Sequence, residues 1–169
     1  MSSEENTNNT ELTLKRIGIF LKEKGINVKP LPESSDVVET ILIDKKDILQ
    51  ASQLLKDDKD MIFDLLLSVS AVDRLDDGLF ESVYHLFASQ YHHKVVLKVY
   101  MPRNNPVIPS VSSVWITADW HERECFDMMG IEYTNHPNLQ RILMPADWKG
   151  YPLRKDYVQD DERLIWNER

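Results

Sequence analysis

The segment His121–Cys125 contains a histidine, two glutamates, an arginine and the only cysteine of the chain. Metalloproteases of the zincin type place two histidines one turn apart on a helix, with a glutamate beside the first, and His121 with Glu122 matches the start of that pattern. The position one turn later holds Cys125 instead of histidine, and a catalytic zinc needs three protein ligands. The spacing therefore offers too few ligands, and we expect no metal site here.

Cys125 could instead be a nucleophile with His121 as its base, because a reactive thiolate needs such a neighbour. Both residues also continue an apolar stripe at helical spacing with Val114, Ala118 and Met128. Such a stripe predicts a helix face that packs in the core, so we expect Cys125 to be a buried, inert thiol. A free-standing enzyme that uses Cys125 and His121 remains the alternative hypothesis.

Carboxylates surround Arg123 on the same predicted helix, at Glu122, Glu124 and Asp127. Glycosidases use paired carboxylates, but two carboxylates on one helix cannot flank a substrate from opposite sides. The spacing of Arg123 and Asp127 predicts an i,i+4 ion pair on a solvated face. A helix face with so many side chains of both charges also suits a partner of complementary charge.

The composition excludes several functional classes. The formal net charge of −8 argues against nucleic-acid binding, which requires clustered lysine and arginine. One cysteine excludes an internal disulfide and also the several thiolates of an iron–sulfur cluster or a structural zinc site. The five glycines do not have the spacing of a nucleotide-binding motif. We therefore expect protein partners, and no cofactor or metal bound by this chain.

The elements that position these side chains follow from the periodicity of apolar residues. Helical spacing predicts one helix over residues 10–25 and a second from residue 44 or 45. Alternation and β-branched residues predict strands, which cover 28–31, 37–43, 67–73, 80–89 and 94–101. Together they predict an α+β fold, a mostly antiparallel sheet with helices on one face.

A third helix carries the segment His121–Cys125. The three prolines within 102–109 argue against regular structure there, Ser110 or Ser112 can cap the helix, and Gly130 ends it. Residues 131–169 show no period.

We interpret the chain as a flexible tail (1–9), an α+β domain (10–130) and an extended C-terminal arm (131–169) that docks on a partner. The alternative is that the arm folds back over its own core. The arm is rich in tryptophan, tyrosine and arginine, the residue types that dominate interface energetics, and in proline, which limits the entropy lost on docking. We predict a partner interface formed by Glu122, Arg123, Glu124, Asp127, His136, Arg141, Trp148, Arg154, Lys155 and Asp156.

The helix segment 118–131, followed by 152–157, resembles the 30 kDa subunit family of respiratory complex I. That family includes the C-type subunits of bacterial NADH–quinone oxidoreductase and the J-type subunits of the NDH complex of cyanobacteria and chloroplasts. Its signature begins Glu-Arg-Glu, has an acidic residue followed by two apolar residues, and continues to a histidine, a basic residue and an aliphatic pair. The matching residues are Glu122, Arg123, Glu124, Asp127, Met128, Met129, His136, Ile142 and Leu143. Gln140 departs from the pattern, because it stands where the signature has the basic residue, with Arg141 next to it.

The resemblance implies a non-catalytic subunit of the peripheral arm, packed against the 49 kDa-type subunit. It implies a place on the cytoplasmic side of the inner or plasma membrane, or on the stromal side of a thylakoid. The chain itself would carry no redox centre. The complex would use iron–sulfur clusters, flavin or another donor module, and quinone, which this chain would meet only through the complex. The equivalent subunit of a membrane-bound hydrogenase-type complex remains an alternative.

Overall fold

The computed structural model describes residues 17–30 and 40–159. The predicted tail, the start of the first helix and the end of the arm lie outside these ranges. The elements are α1 (17–23), β1 (Val28–Pro30), β2 (Thr40–Ile43), α2 (Ile48–Asp57), β3 (Leu65–Arg74), a 3₁₀ turn (Leu75–Asp77), β4 (Leu79–Ala88), β5 (His93–Pro102), β6 (Val107–Pro109), α3 (Ala118–Met129) and β7 (Glu132–Thr134).

Five strands form one sheet in the order β1-β2-β5-β4-β3. The long strands β3, β4 and β5 form an antiparallel meander, because tight turns join them. The first turn places Gly78 at a φ of 66°, a left-handed conformation that glycine adopts without a Cβ penalty. Among the described strands of this sheet, only β2 and β5 pair in parallel. The predicted fold class, α+β with a mostly antiparallel sheet, is confirmed.

The core lies between this sheet and the helices. The strands contribute alternate residues, such as Phe80 and Tyr84 of β4 and Leu97 of β5, while α2 buries Ile48 and Leu55. Burial of each side chain of this size contributes about 1.5–3 kcal/mol to the free energy of folding. None of the helices in the described ranges is long and apolar enough to span a membrane.

The proline-rich segment is not irregular throughout, so that prediction is wrong. Residues Val107–Pro109 form β6, which pairs in parallel with β7. Proline is tolerated because this two-stranded sheet consists of edge strands, where a missing N–H need not break a ladder. The first residues of the predicted arm are therefore hydrogen-bonded to the domain. The division of the chain at residue 130 stays a prediction.

The starts of two helices also differ from the prediction. α2 begins at Ile48, after a turn in which Asp47 N donates to Asp44 O. α3 begins at Ala118, not after a cap at Ser110 or Ser112, because residues 111–117 form separate turns. The predicted end at Gly130 is confirmed, with a left-handed φ of 71°.

Candidate partner interface

α3 packs one face on the core and the sheet. Cys125 is buried, as predicted, and its thiol points at the carbonyl of Val69, 3.9 Å away. Burial raises the pKa of Cys125 to about 12, so the group is a neutral thiol at physiological pH. The buried stripe contains Glu122, whereas His121, which we predicted on it, is only half-buried.

Glu122 is fully buried and accepts hydrogen bonds inside the chain. The Ser110 hydroxyl donates to it over 2.5 Å and the Val111 N–H over 2.8 Å. Burial raises the pKa of Glu122 to about 7, although these two donors act in the opposite direction. The nearest basic group is His136, with Nε2 at 3.9 Å. Glu122 therefore ties α3 to the turn after β6, and it presents no surface to a partner.

The side chain of His136 is also fully enclosed. Its Nδ1 accepts the N–H of Asn138 at 3.1 Å, which requires an unprotonated Nδ1 and places the proton on Nε2. Nε2 then donates to the carbonyl of Asp119 at 3.2 Å. His136 thus fastens the start of the arm to the first turn of α3.

Asp127 binds the middle of the arm through hydrogen bonds. Burial acts to raise its pKa, but hydrogen bonds outweigh burial and the pKa lies below its usual value. Arg141 donates to it over 2.7 Å, and three consecutive backbone N–H groups donate over 2.7–3.0 Å: those of Ile142, Leu143 and Met144. The predicted pair of Arg123 with Asp127 on a solvated face is therefore wrong.

Arg123 instead lies along the outer surface of α3. Its Nε donates to the carbonyl of Gln140 over 3.2 Å, and its guanidinium is 5.0 Å from the ring centroid of Trp120. Glu124, the next residue, is exposed. These two residues are the part of the Glu-Arg-Glu signature that another chain could touch.

Residues 151–157, near the end of the described chain, form a clamp on the domain. Arg154 lies over the rings of Tyr151 and Phe80, 4.4 and 5.1 Å from their centroids, and its Nε donates to the carbonyl of Met129 over 2.7 Å. Leu153 N donates to the carbonyl of Met128. The clamp therefore closes over the C-terminal end of α3.

Two residues outside the predicted set anchor this clamp. Arg103 donates to both carboxylate oxygens of the buried Asp73, over 2.8 and 3.0 Å, and also to Asp156 over 2.6 Å. The N–H of Lys155 reaches Asp73 as well. Hydrogen bonds with Asp156 and then Asp73 raise the pKa of Arg103, and the bond with Arg103 lowers the pKa of Asp156. The role of Asp73 and Arg103 was not predicted from the sequence, because their hydrogen-bond partners are far away along the chain.

Burial divides the predicted interface residues into two groups. The enclosed or largely enclosed ones bind within the chain: Glu122, Asp127, His136, Arg141, Trp148 and Arg154. Glu124, Lys155 and Asp156 are exposed, and Arg123 is partly exposed. Three further exposed apolar residues lie outside the predicted set: Ile116 before α3, Leu143 in the arm, and Trp120 on α3 away from its buried stripe.

A groove of about 260 Å³ runs between β3 and α3, and Cys125, Glu124 and Leu153 are among its lining residues. His121 is not among them, so the pair that the nucleophile hypothesis requires is not assembled in this groove. Over residues 17–30 and 40–159, no three histidine, cysteine or acidic side chains are grouped so as to hold a metal ion.

Comparison with known proteins connects this arrangement to a family. Residues 41–163 match the family described as respiratory-chain NADH dehydrogenase, 30 Kd subunit. The NADH-quinone oxidoreductase C subunit of Chloroherpeton thalassium is 42% identical over 140 residues, which cover 81% of this chain and 58% of that protein. The chloroplastic NAD(P)H-quinone oxidoreductase J subunit of Oenothera argillicola is 53% identical over 100 residues, covering 57% and 63%. The chain thus spans less than two thirds of the length of either relative.

Two solved structures share the fold. A trypsin-resistant fragment (1-134) of Nqo5 has a TM-score of 0.58, with 75% of this chain and 98% of that chain covered. A chain of the membrane-bound sulfane sulfur reductase, an archaeal respiratory membrane complex, has a TM-score of 0.72, with 88% and 85% covered. Both are 22% identical to this sequence, so the likeness is one of fold.

Proposed function

Because the chain belongs to the respiratory-chain NADH dehydrogenase 30 kDa subunit family, we propose that it is a non-catalytic peripheral-arm subunit of a complex I-type oxidoreductase. The complex transfers electrons from NADH or a related donor to quinone, and this chain supports its assembly next to the 49 kDa-type subunit. The family match over 41–163 is the observation that carries the proposal.

The state of the signature residues supports a structural role. Glu122, Asp127 and His136 are enclosed and hydrogen-bonded within the chain, and the pKa of Cys125 is raised to about 12. A group that gives or takes a proton in catalysis must reach its reactant. The side chains of Glu122, Asp127 and His136 are enclosed, and Cys125 is held as a neutral thiol. Electron transfer would then rely on iron–sulfur clusters, flavin or another donor module, and quinone, all held by other subunits.

We further propose a place on the cytoplasmic side of the inner or plasma membrane, or on the stromal side of a thylakoid, reached through the complex. Similarity to a bacterial C-type and to a chloroplastic J-type subunit supports both settings. The donor module that co-purifies from detergent-solubilised membranes would separate an NADH-dependent complex from a membrane-bound hydrogenase-type complex.

Charge reversal at Glu124 tests the role in assembly. Glu124 is an exposed signature residue, so Glu124→Lys should leave the fold intact and place a like charge against any basic partner group. We expect about tenfold less assembled complex, equivalent to about 1.4 kcal/mol of interface free energy. Native gels of solubilised membranes measure the complex, and circular dichroism of the purified chain checks the fold.

Asp76→Lys is the matched control, because Asp76 is an exposed carboxylate in the 3₁₀ turn and is not part of α3. It should assemble as the wild type does. Normal assembly of Glu124→Lys would contradict an interface at this position. A chain that migrates alone in native gels, with no other subunit in the wild type, would refute the proposed function itself.

A further inference from the structure

Four large apolar side chains lie exposed where β3 and α3 begin. Ile116 is 85% exposed and Trp120 64%, while Leu65 and Leu67 of β3 are 45% and 49% exposed. We call these four residues the apolar patch. Soluble chains rarely leave neighbouring large apolar side chains uncovered, and such patches mark sites of interaction.

Two hydrogen bonds hold the halves of the apolar patch side by side. The indole N–H of Trp115 donates to the carbonyl of Phe63 over 3.0 Å, and the hydroxyl of Thr117 donates to the carbonyl of Leu66 over 3.2 Å. Ile116 lies between these two donors, so its position beside the start of β3 is set from both sides.

The exposure of the patch follows from local backbone geometry. The pairing register of β3 shifts between Leu66 and Ser68, so Leu66 and Val69 are both buried while Leu67 is turned outward. Such a bulge re-aims a side chain. Leu67 does not belong to the buried core cluster of the described residues, so its side chain is available to another surface.

Two of the charged side chains beside the patch are exposed carboxylates, and one is the partly exposed Arg123. Asp64 and Glu124 are exposed, and hydrogen bonds from Ser89 lower the pKa of Asp64, which keeps it ionised. Lys56 donates to the carbonyl of Val114, and Arg123 lies over the ring of Trp120 and donates to the carbonyl of Gln140. Asp64 and Glu124 therefore give the rim of the patch a net negative charge.

We propose that the apolar patch docks an apolar segment of another subunit of the complex, flanked by lysine or arginine residues that meet Asp64 and Glu124. This inference rests on the proposed function and names the chemistry of the partner. A second copy of the chain would bring two acidic rims together across a symmetric interface, which like charges oppose. The same carboxylates are repelled by an anionic lipid surface. Tryptophan in the patch suits an anchor that fills a partner pocket.

Photo-crosslinking in the intact complex tests the partner. p-Benzoylphenylalanine replaces Ile116, and in a control chain it replaces Val72, which is 43% exposed at the other end of β3. We expect the probe at 116, and not at 72, to join one other subunit at a peptide with apolar residues and a flanking lysine or arginine. Crosslinks to a second copy of this chain, to lipid or to an acidic peptide would overturn the inference. So would the absence of any crosslink in an assembled complex.

Substitution gives an independent measurement. Ile116→Asp removes apolar contact from an exposed position, so the melting temperature of the isolated chain should stay unchanged while its share in the complex falls at least about tenfold, as for a hot-spot residue. Val72→Asp should reduce that share less than about twofold, as a substitution outside the interface. Wild-type assembly of Ile116→Asp would contradict the docking site but not the proposed function. Failure of the wild-type chain to join a complex would contradict the proposed function instead.

Discussion

Two carboxylates on one helix show how their surroundings decide their chemistry. Asp127 has Arg141 and three backbone N–H donors, and its pKa is lowered despite burial. Glu122 has two neutral donors and, within residues 17–30 and 40–159, no ion pair with a lysine or arginine, and its pKa is raised to about 7. Burial penalises both charges, and the donors of Asp127 outweigh that penalty, whereas those of Glu122 do not and the nearby Asp119 raises the pKa of Glu122 further.

Glu122 should make stability depend on pH. Its pKa rises from an ordinary 4.5 to about 7 in the folded chain, so the folded state binds the proton more tightly than the unfolded state. The contribution of Glu122 to stability is therefore complete below pH 4.5 and falls as pH rises to about 7. The unfolding free energy lost over this pH range is at most about 3 kcal/mol.

Glu122→Gln removes the titration and should flatten the stability curve between these pH values. Denaturant unfolding across this pH range, compared with the wild type, measures the difference. Glu124→Gln, on the exposed side of the same helix, is the control and should retain the wild-type slope. Equal slopes for Glu122→Gln and the wild type would show that Glu122 does not titrate in this range.

Among the secondary-structure elements, the end of α3 and the clamp depend on each other. Gly130 stops the helix in a left-handed conformation, and the ring of Tyr151 packs where a Cβ would lie. Arg154 then reaches the carbonyl of Met129, one of those that a helix end leaves without an internal partner. The helix terminus is thus completed by a segment that lies more than twenty residues further along the chain.

Gly130→Ala should loosen this junction. A Cβ at position 130 would stand 2.5 Å from the Tyr151 ring, and the positive φ adds backbone strain. We expect a loss of about 2–4 kcal/mol in unfolding free energy. Gly78→Ala is a matched control, because Gly78 has a φ of 66° with no atom within 4 Å of the added Cβ, and it should lose only about 1 kcal/mol. Equal losses would mean that contact with the clamp is unimportant.

Across the molecule as a whole, one buried carboxylate connects the sheet, the proline-rich loop and the clamp. Asp73, near the end of β3, accepts hydrogen bonds from Arg103 and from the backbone N–H of Lys155. Arg103 also donates to Asp156. These contacts hold residues 151–157 on the domain, where Lys155 and Asp156 remain exposed for a partner.

Arg103→Gln should release the clamp. It leaves Asp73 buried without its cation, which costs about 3–5 kcal/mol for a pair of this kind. Hydrogen exchange should accelerate over 151–157 before the strands of the sheet. In the control Arg74→Gln, the buried Glu81 keeps Lys98 as its partner, so exchange in the clamp should stay slow. Unchanged exchange in Arg103→Gln would contradict this role.

Features that depend on local pattern could be predicted from the amino-acid sequence. Alternation predicted the strands of a mostly antiparallel sheet, helical spacing predicted the buried thiol of Cys125, and Gly130 marked the end of α3. The order of motifs also identified the family, since a signature is read along the chain.

By contrast, only the tertiary structure shows which charged side chains face inward. The donors to Glu122 lie in the turn after β6, those to Asp127 lie in the arm, and the N–H that reaches Asp73 belongs to Lys155, 82 residues away. β6 likewise pairs with β7, a strand beyond α3. Periodicity reports where apolar side chains recur, and a carboxylate satisfied by remote donors looks the same in sequence as one that faces water. The clamp and the burial of the enclosed signature residues both depend on that long-range hydrogen bonding.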